Sequence, residues 1–595
     1  MNRARFALLT SFALATFGCG GDSSNESPTP LPASPPTSSP APSGGDEPPP
    51  NDDPPEEEPE PESEPEPDPC ASNTGESCEG QPSASDDFAT ATESTSTRID
   101  VLANDDFGPD GPGQAALTVL TPPANGEVSI QENQIVYTPA PGFTGFDTFS
   151  YEILDANGDA ATGAVEVDVQ FALLFVPSDR TRLLRSPAFE SNAAAPFDVE
   201  LEDGDQFSAF EVSPDRSSVA FSTSGGDLFV SSMTVGDEVT QLATDVASFQ
   251  WSPDGTQILL EKAVDELVVI QADGSNPRTV NAPLVAGGNI RILAWAPDGS
   301  RIAYIADAVT DNVIELFTVA PDGSDHRRVS RDLVDGGGLS SFSWAPDSSR
   351  IGYRADAITD GTTELFTVAP DGSSELRVSQ PLATGDVLTF AWAPDSSRIA
   401  YSANPQEPTR IELFTVAPDG SDEQKTSPDP DFAARLLAFR WAPDSSRIAY
   451  TGDFAEDDVT ELFVAAPDGS GAVRVSRDMT EGGDAGFDLE WSQDGRAIAY
   501  TADADTDQVA ELYVAAPDGS GDVKVSGEIA EGNEASFFAW SPDSRRLAYT
   551  VDPRDDGVSQ FFTVSPDGSD AAQVATDTEV SFFDWQSERV RTLFF

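Results

Sequence analysis

Apolar and polar residues alternate in short bursts along two stretches of the chain. From Ser83 to Gln170, "TRIDVLAND", "GEVSIQENQIVYTPAP" and "GFTGFDTFSYEILDANGDAATGAVEVDVQ" put apolar side chains at every second position, with Gly, Asn and Pro at the breaks. A period of two is that of half-buried strands, and the breaks are turns. This predicts a β-sandwich of about ninety residues over 83–170.

From residue 171 to 595 a second pattern takes over. The phrase "WAPDSSRIAY" recurs with small changes, and its equivalents start at Val212, Trp251, Trp295, Trp344, Trp392, Trp441, Trp491, Trp540 and Trp585. The spacings run from 39 to 50 residues, and all eight Trp of the chain lie in this register. One unit reads as four strands. "SSFSW" is followed by the tight turn "APDSS", then "RIGY", an acidic loop, "ELFTV", the turn "APDGS" and "ELRVS". Pro presets the turn angle and Asp accepts local backbone bonds. Repeats of this length, made of strands, predict a β-propeller, with Trp and the Ile-Tyr pair packed between neighbouring blades.

The ends interlock on paper. "SFFDWQSERVRTLFF" carries the first two strands of a unit, and "LLFVPSDRTRLL" aligns with the last two. The predicted fold is all-β: an Ig-like sandwich, then a propeller of eight full repeats plus a composite closing blade. Eight blades in total is the alternative.

Two family resemblances rest on these motifs. "IDVLANDD", "VYTPAPGFTGFDTFSYEILD" and the closing "VEVDV" resemble the cadherin-like bacterial Ig domain of tandem-95 surface proteins. The repeated "WSPDG", "WAPDG" and "DGS" resemble the WD-like propeller repeats of the TolB type, found in bacterial envelope proteins and in the propellers of some peptidases. The second resemblance implies a fold and leaves the function open, because propellers host many activities.

The remaining chain is unlike either domain. Residues 1–19 pair Arg3 and Arg5 with an apolar run from Phe6 to Phe17, closed by Gly18-Cys19. The run is too short to span a bilayer. It resembles a bacterial lipoprotein signal with Cys19 as the lipidated residue, although Thr16 stands where that family has Leu. Residues 20–82 are dominated by Pro, Ser, Glu and Asp, a composition that cannot bury a core and reads as an extended stalk. Cys70 and Cys78 close "CASNTGESC" and are the pair expected to form a disulfide in an oxidising compartment.

Charge narrows the function. Lys plus Arg number 32 against 104 Asp plus Glu, a formal net charge of -72. Phosphate backbones repel such a chain, so nucleic acid is not an expected partner. Membrane contact is expected through the lipid anchor only, and the chain is expected to be a monomer.

Candidate chemistry is sparse. The only His is His326, in a turn, and there is no "GxSxG", "HExxH" or phosphate-cradling loop. The chain is therefore expected not to be an enzyme, with a carboxylate-dependent carbohydrate-active or hydrolytic propeller as the alternative. Calcium is the candidate cofactor. Asp86, Asp87, Asn104, Asp105, Asp106, Asp155 and Asp159 supply oxygen ligands in the sandwich, which keeps a calcium-dependent adhesin open. In the propeller, acids repeat in register: Asp307 and Asp311, Asp356 and Asp360, Asp457 and Asp458, Asp503 and Asp507. The loops between strands two and three and those between blades share one face, and both sets are acidic. The expectation is a lipid-anchored protein of the bacterial cell envelope, at the outer membrane on its periplasmic side or at the cell surface, presenting that face to a basic protein partner or to cations.

Overall fold

The computed structural model describes residues 81–584, apart from Ser94, Pro141, 188–194, 202–203, 234–238, 263–265, 311, 335, 383–384, 406–408, 507, 532, 553–558 and 576–579. Cys19, Cys70, Cys78 and Trp585 lie outside the described residues. No helix occurs among the described residues.

Two sheets face each other in the first domain. One orders Asp87–Thr92, Ala160–Gln170, Gly145–Asp155 and Pro112–Thr121; the other orders Thr97–Ile99, Gln134–Pro139 and Gly126–Gln131. Asp87–Thr92 runs parallel to Ala160–Gln170, and the remaining pairs are antiparallel. The inward positions of the alternating pattern form the core: Ile135, Tyr137, Tyr151, Ile153, Val165 and Val167 are fully buried. One residue, the buried Phe171, separates this sandwich from the first propeller strand, Ala172–Pro177.

Among the described residues the propeller holds nine four-stranded sheets. Eight take their strands consecutively, from Phe207–Val212 through Ala572–Ala575. We number these blades one to eight. The closing sheet orders Ala195–Glu200, Arg182–Pro187, Ala172–Pro177 and Val580–Asp584. Its division therefore differs from the sequence expectation of two strands from each end. The N-terminal side supplies three strands, and the C-terminal strand enters innermost, with Phe583 opposite Phe175. The motif "PSDR" marks a tight hairpin without saying which pair of strands it joins. Here it links the second and third strands, where the other blades carry connections of other sequence and of two to eight residues.

Neighbouring blades touch through their first strands, so these line the centre. Each described Trp ends such a strand and is only 3% to 8% exposed. Its indole N–H donates to a first-strand carbonyl of the preceding blade, from Trp251 to Glu211 through Trp540 to Glu490, at 3.1–3.4 Å. The clusters around each Trp draw residues from two blades. Trp344, Ile351 and Tyr353 pack with Ala303, Ile305 and Leu316 of the blade before. A lone four-stranded sheet leaves both faces bare, and stacking in this way covers them.

Candidate binding faces of the propeller

The two faces of the propeller are built from different loops. On one, the connections between strands two and three meet those between blades. In blades three to seven an acceptor at the end of the second strand holds these loops, at the sixth position of "IAYIAD", "IGYRAD", "IAYSAN", "IAYTGD" and "IAYTAD". Asp307 is 1% exposed and its carboxylate accepts N–H bonds from Asn289 and Asn312, the latter at 3.2 Å. Burial pushes its carboxyl up, but these backbone donors outweigh burial and hold it below the usual range. Asp356 accepts from Gly338 N–H, Asp453 from Arg435 N–H, Asn404 from Asp386 N–H at 2.6 Å and Asp503 from Gln508 N–H at 3.1 Å. Asp386 and Asp484 continue the ties between blades, accepting from Thr363 and Thr460 N–H at 2.7 Å.

The repeated acids thus divide into two kinds. Asp307, Asp356 and Asp503 are braces inside the loops; Asp360, Asp457 and Asp458 are exposed on the rim, and Asp311 and Asp507 lie outside the described residues. In blade six the brace is Asp453, three residues before the last residue of its strand, and not Asp457 or Asp458. The phrase "IAYTGD" carried that signal. Asn404 was missed because an amide accepts a hydrogen bond without adding charge. Asp453, Asp457 and Asp458 also bring their oxygens within 4.8 Å of one another, the one such group of three among the described residues. Burial pushes the Asp453 carboxyl up, and Asp457 adds to the effect. Arg435 stands 3.6 Å from Asp458.

The opposite face carries the Pro-Asp turns. In each turn Asp accepts the N–H two residues on, as Asp371 does from Ser373 at 2.8 Å, and this holds its carboxyl below the usual range. Where the next residue is Ser in the left-handed conformation, its hydroxyl reaches the preceding blade. Ser348, Ser396 and Ser445 accept from Asp298, Asp347 and Asp395 N–H at 2.9–3.0 Å. Glycine in the same place, as at Gly255 and Gly299, supplies the angle without the hydroxyl. Tyr hydroxyls of the second strands also bond toward this face: Tyr353 to Glu375, Tyr401 to Glu423, and Tyr500 to Asp522 at 2.9 Å.

His326 occupies the place of those acids, 2.5 Å from the Tyr304 hydroxyl and half-buried against Phe317, with ring centroids 5.4 Å apart. It is a packed member of the turn rather than a solvent-facing one. Burial, with the Arg301 charge behind it, pushes its pKa down.

The sandwich acids separate as well. Asp87 and Asp105 converge on the buried Tyr151 hydroxyl at 3.0–3.1 Å, and Asp105 also accepts Ser85 N–H at 2.8 Å. Asp86 accepts Ala164 N–H, Asp106 accepts Gly108 N–H, and Asn104 donates to the Asp86 carbonyl. Asp155 and Asp159 belong to a separate turn, where Asp155 accepts the N–H of Asn157 and Asp159 at 2.9 and 2.8 Å.

The sandwich stands on the Pro-Asp face, beside the seam. Glu93, fully buried, is flanked by Arg185 of the closing blade and Arg216 of the first turn. Arg185 donates to the Glu93 carbonyl, and Arg216 lies 3.9 Å from the carboxylate. Burial pushes the Glu93 carboxyl up to about 7 against the pull of both cations. Arg545 of blade eight pairs with Asp168 at 3.3 Å.

The class this geometry defines is an Ig-like domain docked on a β-propeller. Residues 79–168 match the family model of a bacterial Ig domain. No curated protein matches the chain. Among solved structures, dipeptidyl peptidase 4 of Porphyromonas gingivalis is similar over 62% of this chain and 59% of its own, at 14% identity and a TM-score of 0.48. An oligogalacturonate lyase in complex with manganese is similar over 58% of this chain and 98% of its own, at 14% identity and a TM-score of 0.35. A putative TolB from Agrobacterium tumefaciens is similar over 40% and 83%, at 18% identity and a TM-score of 0.27. The expectation that the chain is not an enzyme is corrected by these likenesses. A peptidase and a lyase stand among proteins of similar fold, so the propeller does not by itself exclude catalysis.

Proposed function

We propose that the chain is an envelope or periplasmic protein whose propeller presents its carboxylate-edged loop face to a basic protein segment or to divalent cations. The observation that carries this reading is the division of labour among the acids. Asp307, Asp356, Asn404, Asp453 and Asp503 hold the loops in place, which leaves Asp360, Asp457 and Asp458 exposed at fixed positions. A rim with preset charge loses little freedom on binding, and its attraction for a cationic partner falls as salt screens it. Export is supported by the signal-like residues 1–19 and by the bacterial Ig domain at 79–168. Cys19 is the proposed anchor to the outer membrane, with residues 20–82 as the stalk. Calcium enters this reading as a candidate at Asp453, Asp457 and Asp458.

The test uses the mature chain on immobilised poly-lysine, and separately with calcium alone. Retention is expected to fall steeply with salt, and to fall again when Asp360→Asn, Asp457→Asn and Asp458→Asn are combined. Unchanged retention and unchanged calcium binding in that triple variant would overturn the reading.

A further inference from the structure

Four blades share a device on the Pro-Asp face. An Arg at the start of the second strand crosses to a Thr of the third strand and to a carbonyl in the next turn. Arg301 joins Thr318 and Asp325 O, Arg350 joins Thr367 and Ser374 O, Arg398 joins Thr415 and Asp422 O, and Arg546 joins Thr563 and Asp570 O. In blade one both partners are replaced. Strand register puts Ser218 in the Arg position and Val230 in the Thr position.

A cavity of about 300 Å³ lies here between blades one and two, at the low end of small-molecule sites; the matching cavity between blades five and six, about 410 Å³, is lined by the charged Arg398 and Asp422 instead. Asp215, Ser217, Ser218, Ser231, Ser232 and Thr240 line it, with the edge of Trp251. Blades two and seven also lack the pair, at Gln257 with Val269 and Ala497 with Val514. Their third strands continue with Ile270-Gln271 and Ala515-Ala516, where blade one has Ser231-Ser232. The hydroxyl lining is therefore particular to blade one and breaks the repeat at one place.

We propose that this cavity binds a neutral saccharide. The reading is independent of the loop face, which lies on the other side of the propeller. Hydroxyl groups both donate and accept; those of Ser213, Ser217 and Ser231 donate within the wall and so offer their lone pairs to the hydroxyls of a polyol. No Lys or Arg is among the described residues that line the cavity, which removes the usual partner of a phosphate or a uronate from that wall. Asp215, the one carboxylate among the described lining residues, accepts from the hydroxyls of Ser213 and Ser217 at 2.6–2.9 Å and repels anionic sugars. A single carboxylate falls short of the six to eight oxygens that calcium takes. Trp251 is only 4% exposed, so the walls offer little to an apolar ligand.

The test is calorimetric titration of the mature chain with glucose, galactose and N-acetylglucosamine, with glucuronate and glucose 6-phosphate as anionic controls. At least one neutral sugar is expected to bind in the millimolar range and both anions to bind at least tenfold more weakly. The double variant Ser218→Arg with Val230→Thr puts a cation into the lining, as Arg398 does between blades five and six, and is expected to weaken sugar binding at least tenfold without lowering the melting temperature. Should that variant not fold, Ser231→Val with Ser232→Ala, which copies other blades, is expected to weaken binding at least tenfold. Absence of binding by all three neutral sugars, binding of the anions at equal strength, or unchanged binding in a folded variant would each overturn the proposal.

Discussion

The loop face and the Pro-Asp face are made by the same repeat and use the same residue type, aspartate, in opposite ways. On the Pro-Asp face the carboxylate caps its own turn, stays near water and is held below the usual range, as at Asp371 and Asp419. On the loop face Asp307 and Asp503 go inside and tie two loops, Asp356 and Asp453 hold one loop each, and Asp360, Asp457 and Asp458 stay on the rim. The first arrangement shapes a hairpin; the second stiffens a surface. Position within the blade, and not residue type, sets the role.

The sharpest way to break this comparison is to remove one acid of each kind. Asp307→Ala leaves the N–H groups of Asn289 and Asn312 without their acceptor and is expected to destabilise by about 2–3 kcal/mol. Asp360→Ala, on the exposed rim, is expected to cost less than about 0.5 kcal/mol. Equal losses in thermal unfolding would erase the distinction between brace and rim.

A smaller effect is expected where the sandwich meets the Pro-Asp face. The folded carboxyl of Glu93 titrates at about 7, above its unfolded value. Its contribution is therefore full below the ordinary carboxylate range and is lost as pH rises through about 7, where the buried group must ionise. Melting temperature is expected to decline from pH 5 to pH 8 by the equivalent of about 1–2 kcal/mol, and Glu93→Gln is expected to flatten that decline. An unchanged slope in the variant would assign the pH dependence elsewhere.

The smallest effect compares two tyrosines in register. The Tyr353 hydroxyl bonds Glu375, whereas that of Tyr450 is buried with no partner, because Ala472 stands in the corresponding place. Tyr353→Phe is expected to cost about 1 kcal/mol, and Tyr450→Phe to be neutral or slightly stabilising. Calorimetric melting of the two variants decides it.

Much of this was readable in the sequence. The period of two located the sandwich strands, and the Trp register located the blades, because both reflect burial that repeats at fixed intervals. The split of the closing blade was not legible, since "PSDR" at 177–180 has the same turn chemistry wherever a hairpin is placed. The acidic loops were legible as acidic, but their division was not. Whether a carboxylate faces inward depends on backbone N–H groups from a loop eighteen residues away, as Asn289 is from Asp307. The Ser218 cavity was hidden for a related reason, because its hydroxyl lining is gathered from strands and turns of two blades.

The single residue between the sandwich and the ring has a mechanical corollary. With Phe171 buried and Glu93 wedged between two guanidinium groups, the junction is braced by contacts on both sides of the covalent link. A torque applied to the Ig-like module passes to the seam strand Ala172–Pro177, so whatever fixes the tilt of that module also aims the propeller axis.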